Sequence, residues 1–410
     1  MSPSQEPQTD PLLAPAKQSE AHERKSPAAI LVRMSAIGDT LIATRTQVAL
    51  KQRGYSPFLI SHRSNSALLP CMPTLRGALL WADDGKASFW LAGTNPHDWA
   101  EVDQEKFIAV LKEHSVAERT KIPVLDLQNT RRSARAIRAF EELCGQRALQ
   151  FQFYTVAKLT VLRLALIIWA YLSPRQWKRR KWPHWLAKRL KPVHELQKEL
   201  VALLPQVNSP MHQGNVPLAL PPSILTRLPQ GDYVVFLVGA SFRLKSWPRE
   251  HFRTLLELIL KNTPAQVVLC GGRDDVPTGE YLAFPKNERV LNKIGTTSLA
   301  ETLGFIAGAR YVVTGDSFAS HAADLLGTPA SVIFGATHPL LGFAPVGQHV
   351  TVHHTALSCS PCSRHGQGDC RFRNMRCLTA VTPEEVFAKI ETRLGVMRQM
   401  PDTTRHLADS

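Results

Sequence analysis

Three short stretches of this chain combine small residues with acid, base and hydroxyl groups in a spacing suited to group transfer. The first, Ser35-Ala36-Ile37-Gly38-Asp39, follows an apolar run and puts a carboxylate where a helix is about to begin. One reading of Asp39 is a first-turn acid stabilised by the helix N-terminus. The other is a general base, because a strand-end loop faces the ligand crevice and the carboxylate can take a proton from a bound hydroxyl. Gly38 permits close approach of a substrate, and Ser35 offers a hydroxyl beside it.

The second stretch, 239-GASFRLKSWPREHF-252, sets Ser241, Arg243 and Lys245 just ahead of a helix opened by Pro248. Free backbone N–H groups reinforced by a lysine suit a phosphate or diphosphate. Its glycine spacing excludes a Walker A loop, because Leu244 stands where the glycine before the Lys-Ser would be. In the third, 314-TGDSFASHAADLLGTP-329, Asp316 can accept hydrogen bonds from sugar hydroxyls, and Ser317 with a helix start can hold phosphate, with His321 one turn further on. Asp316 as a simple N-cap and His321 as a structural histidine are the competing readings.

The elements that must position these loops are legible as apolar periodicity. AAILVRM from Ala28 reads as a strand and the stretch after Asp39 as an amphipathic helix that Gly54 can close. Further strands are expected at 122-IPVLDLQ-128, 233-YVVFLVG-239, 265-AQVVLCGG-272, 311-YVVTGD-316 and 330-ASVIFG-335, with helices from Arg131, over 248–262 and over 297–309. Strands alternating with helices of this length imply α/β architecture with parallel βαβ units, whose ligands sit at the carboxyl ends of the strands.

At 410 residues, 44% of them hydrophobic, the chain has room for two such domains. The expected boundaries are a disordered tail over 1–27, a first domain over 28–205, a Pro-rich linker over 206–230, a second domain over 231–380, a closing helix over 381–398 and a flexible tail over 399–410. A formal charge of +15 favours an anionic partner. No helix-turn-helix or RNA-stacking motif accompanies it, so nucleic acid is not expected. The N-terminal tail lacks an apolar run long enough for a secretory leader, which predicts a reduced, cytoplasmic setting.

One segment breaks the alternation. Residues 159–191 begin apolar, are interrupted by Arg163, and end with eight Lys or Arg and three Trp between Arg175 and Lys191. The uninterrupted run Leu164–Leu172 is far short of the roughly 18 residues that a spanning helix needs. A core helix followed by a solvated basic one is expected, or a segment lying on an anionic membrane surface. Arg131, Arg135 and Arg138 share a helical face with Arg132 adjacent, which makes Arg131 and Arg132 candidates for a phosphorylated acceptor. Cys71, Cys144 and Cys270 read as small core residues. Cys359, Cys362, Cys370 and Cys377, four thiols within nineteen residues, have the composition of a closed structural zinc or iron site, with reduced thiols as the alternative.

Taken together, ILVRMSAIGDTLIAT, DLQNTRRSA, GASFRLKSWPREHF with LCGGRDD, and TSLAETLGFIAGARYVVTGDSFASHAADLLGTPASVIFGATHP resemble glycosyltransferase family 9, the ADP-heptose:lipopolysaccharide heptosyltransferases. The resemblance runs from about Ala28 to about Arg398. It implies a GT-B fold, in which two Rossmann-like domains face each other across a cleft, with the acceptor on the first, an ADP-sugar donor on the second, and a last helix returning to the first. It further implies an inverting transfer of heptose, without a catalytic metal, to a lipid-linked, phosphorylated lipopolysaccharide core oligosaccharide. Asp39 would be the base and Lys245 with Ser241 would meet the departing diphosphate. Arg243, Asp316, Ser317 and His321 would hold the donor, and Ser35, Gly38, Arg131 and Arg132 the acceptor, at the inner face of the cytoplasmic membrane.

Two departures from the family pattern bear on the donor. Phe318 stands where the family usually has Gly, and 334-FGATHP-339, with His338, replaces the usual Phe-Gly-Pro-Thr-Asp-Pro. They leave room for a different sugar, a protein acceptor, or a catalytically silent GT-B protein that binds anionic glycolipid.

Overall fold

The computed structural model describes residues 26–115, 121–145, 149–157, 160–172, 182, 184–207 and 218–394. The two expected tails lie largely outside these residues, as do most of the basic stretch after Leu172 and the middle of the Pro-rich linker.

The first lobe is a seven-stranded sheet in the order β5-β4-β3-β2-β1-β6-β7. Its strands are β1 (Ala28–Arg33), β2 (Ser56–His62), β3 (Gly77–Trp81), β4 (Ala87–Ala92), β5 (Trp99–Val102), β6 (Ile122–Asp126) and β7 (Phe151–Thr155). Helices α1 (Ile37–Gln52), α2 (Gln104–Glu113), α3 (Arg131–Gly145), α4 (Thr160–Tyr171), α5 (His184–Arg189) and α6 (Val193–Ala202) accompany it. Every residue of β1 is buried, as a parallel strand covered on both faces requires, so it reads as a continuous apolar run. β4 and β5 are antiparallel additions at one edge.

After the short α7 (Pro222–Leu225), the second lobe is a parallel sheet in the order β10-β9-β8-β11-β12-β13. Its strands are β8 (Tyr233–Leu237), β9 (Gln266–Cys270), β10 (Val290–Asn292), β11 (Tyr311–Gly315), β12 (Ala330–Ile333) and β13 (Val350–His353). Its helices are α8 (Arg249–Asn262), α9 (Val276–Ala283), α10 (Leu299–Gly308), α11 (Phe318–Leu326), α12 (Arg376–Thr379) and α13 (Pro383–Leu394).

The strand order reverses beside β1 in the first lobe, where β2 and β6 flank it, and between β8 and β11 in the second. A crevice opens where successive crossovers run to opposite faces, so the loops leaving these strands are the ones that meet ligands. They are Met34–Ala36 after β1, Leu127–Thr130 after β6, Val238–Phe242 after β8 and Asp316–Ser317 after β11, which include the stretches picked out by their chemistry.

The lobes meet through α1 and α11, and one apolar cluster joins Leu41 of the first lobe to Ala319, Ala322 and Ala323 of the second. Two expectations about chain path are corrected. Helix α13 packs on α8 within the second lobe, burying Val386 and Ile390, while the indole of Trp247 donates to the Val381 carbonyl at 3.1 Å. Apolar residues on its inner side find their core there and not on the first lobe. The insertion carrying α4 and α5 does not belong to the first lobe alone: Leu166, Leu186 and Leu190 pack on Leu341 of the second. Among the described residues no helix is long and apolar enough to cross a membrane.

Candidate active site

A cleft of about 880 Å³ separates the lobes at these strand ends. From the first lobe it is lined by residues 35–39, His62, Ser64, Asp83 and Arg132, and from the second by Ser241, Lys245, Asp275, Asp316, Ser317, Phe318, His321 and His338, among others.

Asp39 lies in the first turn of α1, with its carboxylate in contact with the Arg33 guanidinium and accepting from the Ala36 N–H at 3.4 Å. Arg33 itself is buried and donates to the Leu127 carbonyl at 2.8 Å. Gln128 fixes the same loop from β6: its Oε1 accepts from Met34 N–H at 2.8 Å and its Nε2 donates to Ser35 Oγ at 3.2 Å. Asp126 accepts from the N–H groups of Gln128 and Asn129 and from Ser133 Oγ, tying the start of α3 to the strand. Arg33 and Gln128 thus position the carboxylate and the hydroxyl; residue type gives neither away in the sequence, although Gln128 belongs to the DLQNTRRSA motif.

The residues of the second lobe form a charged chain. Lys245 Nζ lies 3.0 Å from Asp316 Oδ2, and Thr337 Oγ1 donates to the same oxygen at 2.8 Å. Lys245 ends a short 3-10 turn, so the lysine, not the start of α8, faces the cleft. Ser317 caps α11 by accepting from Ala319 N–H at 3.3 Å. His321 is buried, and burial lowers its pKa against the opposing pull of Asp316 and Asp39, so it stands as a neutral ring between the two carboxylates.

Not every candidate reaches the cleft. Arg132 does, donating to Asp83 Oδ1 at 3.1 Å, an oxygen it shares with His62 Nε2 at 3.2 Å. Arg131 and Arg243 are exposed and do not line it; consecutive residues on a helix or tight turn diverge, so only one of each basic cluster faces the ligand. Gly38 is pressed by protein: a Cβ there would lie 3.3 Å from both Phe318 Cα and His321 Cδ2. The close approach expected of a substrate is made by the opposite lobe.

Asp275, from the LCGGRDD motif, also lines the cleft, accepting from Gly272 N–H at 2.8 Å, and burial raises its pKa. A Cβ on Gly239 would lie 1.9 Å from its Oδ2, so the glycine is needed for the carboxylate to sit there. His338 is buried, its Nδ1 accepts from Leu340 N–H at 3.0 Å, and burial with His354 beside it pushes its pKa down to about 3.

The cysteine loop enters the site from the second lobe. Arg364, His365 and Gln367 line the cleft, and a Cβ on Gly366, whose φ is +84°, would lie 2.4 Å from Lys245 Cγ. Cys359, Cys362, Cys370 and Cys377 border one small cavity behind it, and burial pushes Cys362 up to about 11 and Cys377 to about 12. Among the described residues, however, no group of three or more His, Cys, Asp or Glu is arranged to hold a metal ion.

A search of protein families matches residues 180–369 to "Glycosyltransferase family 9 (heptosyltransferase)". The match covers 190 of the 410 residues, so this part of the chain is similar to glycosyltransferase family 9. Among similar proteins, lipopolysaccharide heptosyltransferase 1 of Pseudomonas aeruginosa is 26% identical over 190 residues, 43% of this chain and 51% of that one. Lipopolysaccharide heptosyltransferase 1 of Escherichia coli K12 is 32% identical over 160 residues, 38% of this chain and 48% of that one. The matched part thus spans about half the length of these curated relatives. Whole-chain likeness appears in three dimensions. The E. coli ADP-heptose lipopolysaccharide heptosyltransferase II structure superposes with a TM-score of 0.58 at 18% identity, covering 89% of this chain and 98% of that one. E. coli heptosyltransferase WaaC with ADP gives 0.55 at 19%, covering 89% and 99%. At that identity the likeness shows the fold alone, and the two facing Rossmann-like lobes are a GT-B fold.

Proposed function

We propose that this protein is an inverting glycosyltransferase that moves heptose from ADP-heptose to a phosphorylated lipopolysaccharide inner-core acceptor. The observation that carries the reading is the opposition of Asp39, on the first lobe, to Lys245, Asp316 and Ser317 on the second, across one cleft. The relatives named as lipopolysaccharide heptosyltransferases, and the superposed structure that contains ADP, supply the substrate class.

The acceptor hydroxyl oxygen attacks the anomeric carbon from the face opposite the diphosphate, and Asp39 takes its proton. The bond from the anomeric carbon to the diphosphate oxygen breaks, and the electron pair leaves with ADP. Lys245 and the N-terminus of α11 meet that growing charge, so stabilisation is greatest in the transition state. Asp316, Ser317 and His321 hold the donor, with Ser241 beside the diphosphate; Arg132 and Ser35 serve the acceptor. Incubation with ADP-heptose and a truncated core acceptor, read by mass analysis, tests this: a product heavier by one heptose supports it, and failure to bind any ADP-sugar overturns it.

A second reading concerns the sugar only. Phe318 opens α11 in the cleft where the family usually has glycine, which favours an ADP-sugar shaped differently from heptose. Calorimetry with ADP-heptose and ADP-glucose separates the two.

The exposed face of α4 supports a site of action at a membrane surface. Val161, Leu164, Ile168, Trp169 and Leu172 share its outer face, all exposed, with Trp185 of α5 exposed as well. The neighbouring sequence Arg175–Lys191 is basic and contains no acid. An apolar face bordered by cations lies on an anionic bilayer at the headgroup level, where a lipid-linked acceptor is presented. Sedimentation with anionic vesicles is expected to fall sharply for Trp169→Ser/Ile168→Ser, and unchanged binding removes the idea.

A further inference from the structure

Arg163 is the one charge in the apolar run of α4, and its side chain does not join the exposed face. The residue is 4% exposed; Nη2 donates to the Lys191 carbonyl between α5 and α6 at 3.2 Å, and the guanidinium turns toward the second lobe. Its guanidinium carbon is 5.8 Å from the Phe343 ring centroid, and a Cβ on Gly342, at φ +87°, would lie 2.6 Å from Nη2. Leu341 and Phe343, on either side of that glycine, line the cleft, so Arg163 is directly behind its wall.

Arg364, from the cysteine loop, lines the cleft itself. The Nε of each of these arginines is buried without a hydrogen-bond partner. Among the described residues neither guanidinium has a carboxylate partner, although exposed arginines nearby on the chain, such as Arg132, do. The two are close enough that, after burial, the charge of Arg364 is what lowers the Arg163 pKa. A buried cation without a counter-charge is costly, and placing a second cation beside it adds repulsion. An anion drawn between the two offsets both penalties. Planar guanidinium forks match phosphate oxygens, and two fixed positive charges balance a phosphate monoester, which carries close to two negative charges at neutral pH.

We propose that Arg163 and Arg364 form an anion-binding site at the edge of the cleft that takes a phosphate monoester of the substrate, Arg364 meeting the phosphate and Arg163 drawing it in from behind the wall. The site joins the two parts of the chain that looked least concerned with sugar transfer, the α4 insertion and the cysteine loop. Assigning its phosphate to the acceptor rests on the glycosyl-transfer reading above; the existence of the site does not.

The test uses the full chain with its nucleotide pocket saturated by ADP and follows added inorganic phosphate by calorimetry. Wild type is expected to bind phosphate with ADP present, and Arg364→Gln to weaken that binding at least tenfold, with Arg364→Lys recovering part of it. Arg163→Gln should act in the same direction; because Arg163 is buried and its variant can fail to fold, the half-exposed Arg364 carries the decision. No phosphate binding by wild type, its loss when ADP is added, or full binding by Arg364→Gln overturns the site. A second arm compares the acceptor with its phosphatase-treated form. The KM advantage of the phosphorylated acceptor should disappear in Arg364→Gln, and if it persists the phosphate is not the acceptor's. The first arm reads no sugar transfer, so a chain inactive on every acceptor refutes the proposed function while leaving the anion site to be judged separately.

Discussion

Lys245 Nζ lies 3.0 Å from Asp316 Oδ2, although the two residues come from loops after different strands, β8 and β11. Thr337 donates to the same carboxylate oxygen, so Asp316 is oriented from two sides before any ligand arrives. The pair keeps the lysine charge at the cleft wall. Loss of a group that meets charge appearing only in the transition state is expected to lower kcat by about 100- to 1000-fold, which is the prediction for Lys245→Gln. Steady-state kinetics with saturating donor checks it, and a change confined to KM would show that the lysine serves ground-state binding only.

Gly38 and Phe318 bring the backbones of the two lobes close together at the cleft. In Gly38→Ala the new methyl would lie 3.3 Å from Phe318 Cα, a backbone atom that yields only if α11 shifts. A modest loss of stability, about 1–2 kcal/mol, is expected, together with a weaker donor KM because α11 carries Ser317 and His321. Denaturant unfolding and donor titration measure the two effects. In Phe318→Gly the ring that borders the cleft is removed while this backbone contact remains. That variant is expected to widen the range of ADP-sugars accepted, read as a smaller ratio of kcat/KM between ADP-heptose and its competitors.

The acid limb of stability is set partly by His338. Burial holds its folded pKa at about 3, well below the ordinary histidine value of 6.5. Below pH 6.5 the unfolded chain therefore takes up a proton that the folded chain refuses, and stability falls as pH drops until about pH 3. Each pH unit in that window removes roughly 1.4 kcal/mol, or about 2 kcal/mol between pH 6.5 and pH 5. His321, lowered in the same direction by burial, adds to the slope. Urea unfolding at pH 5 and pH 7.5 should show a smaller difference for His338→Gln than for wild type; an equal difference would mean that His338 is protonated without cost.

How far the sequence reached depends on what each residue answers to. Strands β1, β8, β9, β11 and β12 were legible because parallel strands buried on both faces are short apolar runs bounded by turn residues. β4 and β5 are antiparallel edge strands whose partly exposed pattern gives a weaker signal, and they were not read. Asp39, Lys245 and Asp316 were legible because each lies in the loop or first helical turn that follows such a strand. Arg33, Asp275 and Arg364 were not, since their roles arise from contacts over long sequence separations: Arg364 meets the cleft only because the cysteine loop folds over Lys245. For the same reason Arg131 and Arg243 could not be told from their neighbours Arg132 and Lys245, which the helix and the 3-10 turn rotate toward the ligand.

The proposed base stands next to a buried cation, and the two can be separated by experiment. Arg33 contacts the Asp39 carboxylate and anchors to the Leu127 carbonyl, so it orients the base without lying in the cleft itself. Asp39→Asn keeps the shape and removes the ability to take a proton; a fall in kcat of at least 100-fold is expected, with ADP binding unchanged because the proposed nucleotide side of the cleft is on the other lobe. Arg33→Met should do less to chemistry and more to stability. It removes a buried guanidinium that satisfies Leu127, leaving that carbonyl unpaired at about 1–3 kcal/mol, and frees Asp39 to sample other rotamers. Parallel measurement of kcat and of unfolding midpoint distinguishes the roles: if Asp39→Asn turns over within a few-fold of wild type while Arg33→Met is inactive yet stably folded, Asp39 is not the base and Arg33 is the residue that matters to the acceptor.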